Sequence, residues 1–277
     1  MSVRITILAD EHTTQDEGLL AEHGLSLLFE GDESKALLDA GQTDVCLQNA
    51  ARLGAELADL RRVVLSHGHY DHGGGLPALL DQLGSLEVFA HPDVFAARYA
   101  RRPGEQDRYI GLAYDAEELT GRGAVMRLEP GPQEIGRDFL TTGAIPRTTD
   151  FEDANPAFQV KNGGKWETDP LDDDQGVIAR TTEGLVVLLG CAHAGVINTL
   201  HQATRLTGDD RIRAVVGGLH LVGASEERIQ RTVAALRDLD VGTVAACHCT
   251  GFPAMTRLHA AFGERFVNGA VGLRLTF

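Results

Sequence analysis

The run Val63-Val64-Leu65-Ser66-His67-Gly68-His69-Tyr70-Asp71-His72-Gly73-Gly74-Gly75 places four metal-capable side chains within six residues, directly after an apolar stretch. A short apolar run bounded by turn residues reads as a buried strand. His67 and His69 lie two apart, so at a strand end they point the same way. Asp71 and His72 follow on the turn and can face a second ion. Neutral imidazole and carboxylate suit zinc, iron or manganese, and a site that keeps a position open can do chemistry. Gly68, Gly73, Gly74 and Gly75 remove Cβ atoms where the backbone is expected to bend around the cluster. A single His at a strand end is ordinarily a surface or capping residue. Three His and an Asp in this spacing are hard to explain that way.

Other histidines repeat the layout of an apolar strand followed by His. His193 follows Gly184–Leu189 in Gly190-Cys191-Ala192-His193, His248 follows Val241–Ala246 in Cys247-His248-Cys249, and His220 follows Arg213–Val216 in Gly217-Gly218-Leu219-His220. Parallel strands place their C-terminal loops on one edge, where ligands and substrates bind. His193, His220 and His248 can therefore converge on the first cluster. His220 has three readings: metal ligand, proton donor to a leaving group, or hydrogen-bond partner of substrate. The last two fit general acid chemistry and are preferred. His91 reads as a helix cap or a support for the ligands. Cys191 is either a ligand or a small buried apolar residue, as free Cys usually is. Cys247 and Cys249 flank His248 without two further ligands at zinc-finger spacing, and they read as packing residues. Asp39 ends the apolar run Leu37-Leu38-Asp39 before Gly41.

The charge excludes one class of partner. With 25 basic and 40 acidic residues the net charge is −15, and a nucleic-acid surface needs basic patches. Arg98, Arg101, Arg102 and Arg108 form a basic island in this acidic chain, and Arg147 lies apart from it. Arg forks suit phosphate or carboxylate, so Arg98 and Arg147 are candidate substrate contacts. The longest near-apolar run, Gly184 to Ile197, is too short to span a bilayer. The N-terminal segment lacks the long apolar core and cleavage site of a signal peptide. A cytoplasmic protein with its four Cys reduced is expected, with no membrane partner and with a homo-oligomer left open.

Periodicity predicts strands at Val3–Ala9, Gly24–Glu30, Lys35–Asp39, Arg61–Leu65 and Leu86–Ala90, with helices over Thr43–Leu53 and Leu76–Leu83. From Gly176 a hairpin, Gly176–Thr181 and Gly184–Leu189, opens a second alternating half. Its helices are Ala194–Leu206, one capped by Ser225, and Pro253–Phe262, and its last strand is Val271–Phe277. Between about 98 and 174 the pattern weakens and prolines gather. That segment is expected to be a cap-like insertion over the site within one domain of residues 1–277.

At Ser66-His67-Gly68-His69-Tyr70-Asp71-His72 the chain resembles the metallo-β-lactamase superfamily. Glu22-His23-Gly24-Leu25-Ser26, TTGAIPR at 141–147, DDDQ at 172–175, GCAHAG at 190–195, GGLHL at 217–221 and HCTG at 248–251 extend the likeness. They point to the branch named for a dihydropterin-ribofuranosylaminobenzene phosphate synthase. The resemblance implies an α/β fold, an αββα sandwich of two mixed sheets flanked by helices, with the metal site at one edge. It implies that His248 is the last ligand. It implies a ligand in the slot held by Cys191, which is usually an Asp bridging both metals or a Cys. The superfamily also has a His near mid-chain; none lies between His91 and His193, so His193 is expected in its place. Asp39 is expected to orient the metal-binding loop from behind the ligands; otherwise it is an ordinary turn Asp.

The expected reaction is hydrolysis by a hydroxide held between two divalent ions, zinc before manganese or iron. Asp71 serves both metal and chemistry, and His220 or an acid from the cap protonates the leaving group. A phosphoester of a small anionic molecule is the first substrate class, and a lactone or activated ester the second. Two rivals differ in kind. An iron oxidoreductase of the diiron branch typically has Glu where this chain has His69. A binding protein that kept the fold usually loses ligands, and here the first cluster is intact.

Overall fold

The computed structural model describes residues 2–15 and 18–277. Its architecture is helix, sheet, sheet, helix, the αββα sandwich that the resemblance implies. The first sheet runs in the order Arg274–Thr276, Arg4–Ala9, Ser26–Glu30, Lys35–Leu38, Arg62–Val64, Leu86–Ala90, Ala124–Leu128. It is antiparallel up to Lys35–Leu38 and parallel beyond it. The second sheet runs Phe266–Asn268, Thr243–Cys247, Ile212–Gly218, Gly184–Leu189, Gly176–Thr181, Phe139–Thr141, Glu134–Ile135. Its first four strands are parallel.

Side-chain alternation along one strand explains the layering. Gly184–Leu189 is buried at every position. Val186 and Leu188 face the other sheet, while Leu185, Val187 and Leu189 face the helices Val196–Thr207 and Glu226–Asp238. A central strand covered on both faces reads as a continuous apolar run for this reason. The first sheet does the same: Val64 joins the layer between the sheets, and Val63 packs toward the helices Val45–Leu53 and Leu76–Leu83. Phe29 and Phe139 meet edge to face across the sandwich at 4.7 Å between ring centroids, an arrangement aromatic pairs favour.

Local signals place several boundaries. Ser225 accepts a hydrogen bond from the N–H of Arg228 and starts the helix Glu226–Asp238, with Glu226 and Glu227 in its first turn. Acids there complement the helix dipole. The hairpin Gly176–Thr181 and Gly184–Leu189 forms as predicted. The strand expected at Gly24–Glu30 is Ser26–Glu30, and the one expected at Val271–Phe277 is Arg274–Thr276.

The segment 98–174 is more than a cap. Ala124–Leu128 extends the first sheet, and Glu134–Ile135 and Phe139–Thr141 extend the second. The separate part is a four-stranded antiparallel sheet of Lys165–Thr168, Phe158–Asn162, Arg98–Ala100 and Arg108–Tyr109, which lies beside the site. These strands are short, and the pairing that joins the two hairpins links Arg98–Ala100 to Phe158–Asn162, far away in sequence, so period-2 patterning hardly registers them. Among the described residues no helix is long and apolar enough to cross a membrane.

Candidate metal centre

The ends of four strands meet at one edge of the sandwich. Arg62–Val64 leads into His67 and His69, and the short helix Tyr70–Gly73 carries Asp71 and His72. Gly184–Leu189 leads into Cys191 and His193, Ile212–Gly218 into His220, and Thr243–Cys247 into His248. The glycines of the first loop serve close packing. A Cβ on Gly68 would stand 1.8 Å from the Val94 carbonyl oxygen, and one on Gly75 would stand 2.2 Å from those of Ala40 and Thr43. Gly74 and Gly75 have ordinary helical backbone angles, so proximity of neighbouring backbone, not bending, requires them.

The donors fall into two adjoining sets. In the first, His67 Nε2 lies 2.9 Å from His69 Nδ1 and 3.2 Å from His193 Nε2. In the second, His72 Nε2 lies 3.1 Å from both Cys191 Sγ and His248 Nε2. Asp71 Oδ2 is 3.8 Å from His72 Nε2 and 3.6 Å from His248 Nε2. Two nitrogens on one tetrahedral zinc stand roughly 3.3 Å apart, so both sets fit a divalent ion. The rings of His67 and His72, one from each set, have centroids 4.2 Å apart.

The far side of each ring sets its direction. Ser66 Oγ meets His67 Nδ1 at 2.9 Å, which leaves Nε2 for the centre. Asp39, fully buried and at φ 62°, binds His72 Nδ1 at 2.7 Å. It also accepts from the N–H and the hydroxyl of Ser66, at 2.7 Å each. Glu11 meets His248 Nδ1 at 2.9 Å. A carboxylate behind a ligating imidazole fixes its tautomer and raises its basicity. Asp10 accepts from the backbone N–H of His248 at 2.8 Å.

Two aspartates of the DDDQ run tie the ligand loops together. Asp173 accepts from the N–H of Gly68 at 2.8 Å, and Asp174 from that of Ala194 at 2.7 Å. Burial pushes Asp173 up to about 6 and Asp174 up to about 7. Glu152 accepts from the N–H groups of Ile197 and Asn198 at 2.9 Å each, capping the helix that follows His193.

Charge differs between the two sets. Burial pulls His67, His69 and His193 well below the ordinary imidazole value, so they are neutral and ready to ligate. Burial acts the same way on His72 and His248, but anionic neighbours outweigh it. Asp39 and Asp71 raise His72, and Cys249, Glu11 and Asp71 raise His248 to about 10. Cys191 is pushed well up by burial. An ion entering the second set must therefore displace protons, and one entering the first need not. The sign follows: affinity at the second set rises with pH. Between about pH 8 and about pH 6 the second ion should weaken by about tenfold per pH unit for each proton displaced, while the first stays bound. Metal content after equilibrium dialysis across this range checks it, and simultaneous loss of both ions would contradict it.

A cavity of about 190 Å³ opens onto the centre, and Arg102, Arg108, Ile110, Phe158, His220 and Val222 are among its lining residues. The ring of His220 lies 4.2 Å from that of His193 and close enough to Cys249 that, against the effect of burial, it helps to pull that thiol down. Arg98 is not a substrate contact. It is 2% exposed and pairs with Asp169 and Asp173 at 2.8 Å each. Arg147 lies outside the cavity lining and donates to the carbonyl oxygens of Glu152 and Pro170. The arginines at the cavity are Arg102 and Arg108 of the same island. His91 accepts from the N–H of Asp93 and caps a short helical turn.

Sequence reasoning missed Asp10, Glu11, His23, Glu152 and the position of Cys249 at the cavity. His23 bridges Glu11 and Asp71, at 2.7 and 3.3 Å. The signals were present as polar residues after the first strand and in the motifs around 22–26 and 172–175, but no periodicity marks them. Cys247 packs between the sheets as expected, whereas Cys249 lies at the cavity. That corrects its reading as a packing residue.

Comparison with known proteins agrees with this geometry. A structure described as a metal-dependent hydrolase of the β-lactamase superfamily shares 33% identity, with a TM-score of 0.84 over 99% of this chain and 98% of the other. An uncharacterized protein of Methanocaldococcus jannaschii is 35% identical, covering 97% of this chain and 98% of its own. A second protein of that organism, 30% identical over 96% and 93%, is named 7,8-dihydropterin-6-methyl-4-(β-D-ribofuranosyl)-aminobenzene-5'-phosphate synthase. The family model of the metallo-β-lactamase superfamily matches residues 20–248. The chain belongs to the metallo-β-lactamase superfamily.

Proposed function

We propose that the chain is a binuclear metallo-hydrolase acting on a phosphoester of a small anionic molecule. The observation that carries this is two adjoining donor sets opening onto a cavity lined by Arg102 and Arg108. His67, His69 and His193 hold one ion; Asp71, His72, His248 and Cys191 hold the other. When bound, a pair of divalent ions supplies an acidified water and Lewis acidity toward a phosphoryl oxygen. Arg102 and Arg108 take the anionic group in charge-assisted hydrogen bonds. Phe158 and Ile110 line the cavity with apolar surface and limit water there. His220, on the cavity wall, faces the substrate and gives a proton to the leaving oxygen. His23 pairs with both Asp71 and Glu11 and holds the Asp71 carboxylate in place.

Two relatives support the reading. One structure at 33% identity is described as a metal-dependent hydrolase, and the name of one 30% identical relative denotes a product with a 5'-phosphate. Zinc is the first choice of ion, with manganese and iron next. Protein loaded with each metal is assayed on a panel of phosphomonoesters, phosphodiesters and lactones. Chelator-sensitive turnover of a phosphoester is expected; turnover of lactones alone overturns the substrate class.

The arginines make a separable prediction. Arg102→Ala and Arg108→Ala should each raise KM for a phosphoester by about tenfold, in line with one charge-assisted hydrogen bond. Arg102 is 60% exposed, so stability should not change. Steady-state kinetics with a thermal melt checks both parts, and unchanged KM in both variants removes them from recognition.

A further inference from the structure

We propose that Cys249 is itself a metal ligand: its thiolate joins Asp71, His72, Cys191 and His248 around the second ion and makes that position selective for zinc. The inference rests on the two-set reading of the site and adds a donor to it.

The donor atoms of Cys191, His248 and Cys249 all lie within 4.8 Å of one another. Cys191 Sγ and His248 Nε2 are each 3.1 Å from His72 Nε2, so Cys191 and His248 are shared between the second set and the group that contains Cys249. The local fold delivers the thiol there. Cys249 sits in the single helical turn His248–Thr250 that ends the strand Thr243–Cys247. His248 has φ 49° and His220, on the loop opposite, has φ 44°. Left-handed backbone at a non-glycine residue costs energy and gathers at functional sites. Thr250 locks the two loops together: its hydroxyl accepts from the N–H of Leu219 and donates to the carbonyl of Cys247.

The sulfur has the Cys191 carbonyl oxygen at 3.6 Å on one side and a backbone donor on the other. The backbone N–H of His220 donates to Cys249 Sγ at 3.3 Å, the kind of outer hydrogen bond that orients and steadies a ligand. Gly218 leaves the space the sulfur occupies; a Cβ there would lie 2.7 Å from Cys249 Sγ and 2.5 Å from the Gly190 carbonyl oxygen. Two imidazoles and two thiolates, with the Asp71 carboxylate beside them, are donors that favour zinc, whereas manganese prefers oxygen donors alone. The three-histidine set carries no sulfur, so selectivity belongs to the second position.

Cobalt reports sulfur ligation directly, because each thiolate on it contributes a near-ultraviolet charge-transfer absorption. Wild-type protein loaded with cobalt should show this band, and Cys249→Ser and Cys191→Ser should each lose about half of it. With two cobalt ions per chain, a band unchanged in Cys249→Ser overturns the inference alone. One cobalt per chain with a band that Cys249→Ser halves supports the ligand and overturns the two-ion reading. Should the variant fail to fold, the wild type decides. Iodoacetamide labelling followed by peptide mass mapping should show Cys249 protected by zinc and modified after chelation. Equal labelling in both states overturns the proposal.

Discussion

His69→Ala should bind one fewer divalent ion per chain and lose metal-dependent phosphoester turnover by roughly three orders of magnitude or more. His69 Nδ1 is one of the three nitrogens of the first set, 2.9 Å from His67 Nε2. With it gone, His67 and His193 leave a two-nitrogen site, too few donors for a structural or catalytic zinc. Asp71→Ala should lose comparable activity by another route. Its carboxylate faces His72, His248 and His23, so removal weakens the second set and cuts the link to Glu11. Elemental analysis separates the two variants: His69→Ala empties the first set, Asp71→Ala lowers occupancy of the second. Full turnover in either variant defeats the proposed chemistry.

Arg98→Ala should destabilise the fold by about 3–5 kcal/mol, the usual cost of stripping one partner from a buried ion pair. Asp169 and Asp173 are 4% and 0% exposed at their side chains, and Arg98 is the cation that both meet at 2.8 Å. Asp173 also holds the N–H of Gly68 between His67 and His69. Loss of Arg98 should therefore loosen the His67–His69 loop as well as lower stability. Urea unfolding gives the free energy, and the same samples give KM. A variant of unchanged stability with a raised KM would return Arg98 to the substrate.

The contrast between Arg98 and Arg102 shows what a sequence can and cannot convey. Both belong to one basic island, and pattern alone cannot tell which fork is buried. Arg98 sits on a strand of the small sheet and turns inward to two aspartates more than seventy residues away. Arg102 lies beyond that strand's end and stays exposed. The His67–His72 cluster was legible because its donors are local and follow a strand of unmistakable apolar character. His193 and His248 were legible because strand ends share an edge in parallel sheets. Glu11, His23 and Asp174 were not, because each acts through contacts with residues distant in sequence that leave no periodic trace. The small sheet escaped for a related reason: Arg98–Ala100 pairs with Phe158–Asn162 across more than fifty residues.

The account rests on two ions held side by side where four strand ends converge. Diffraction from crystals of the zinc-loaded protein, collected across the zinc absorption edge, tests this most directly. Two anomalous peaks are predicted, one among His67 Nε2, His69 Nδ1 and His193 Nε2, the other beside His72, His248 and Cys191. A fully loaded crystal with no peak among the three histidines, or with its zinc bound elsewhere, would contradict the account.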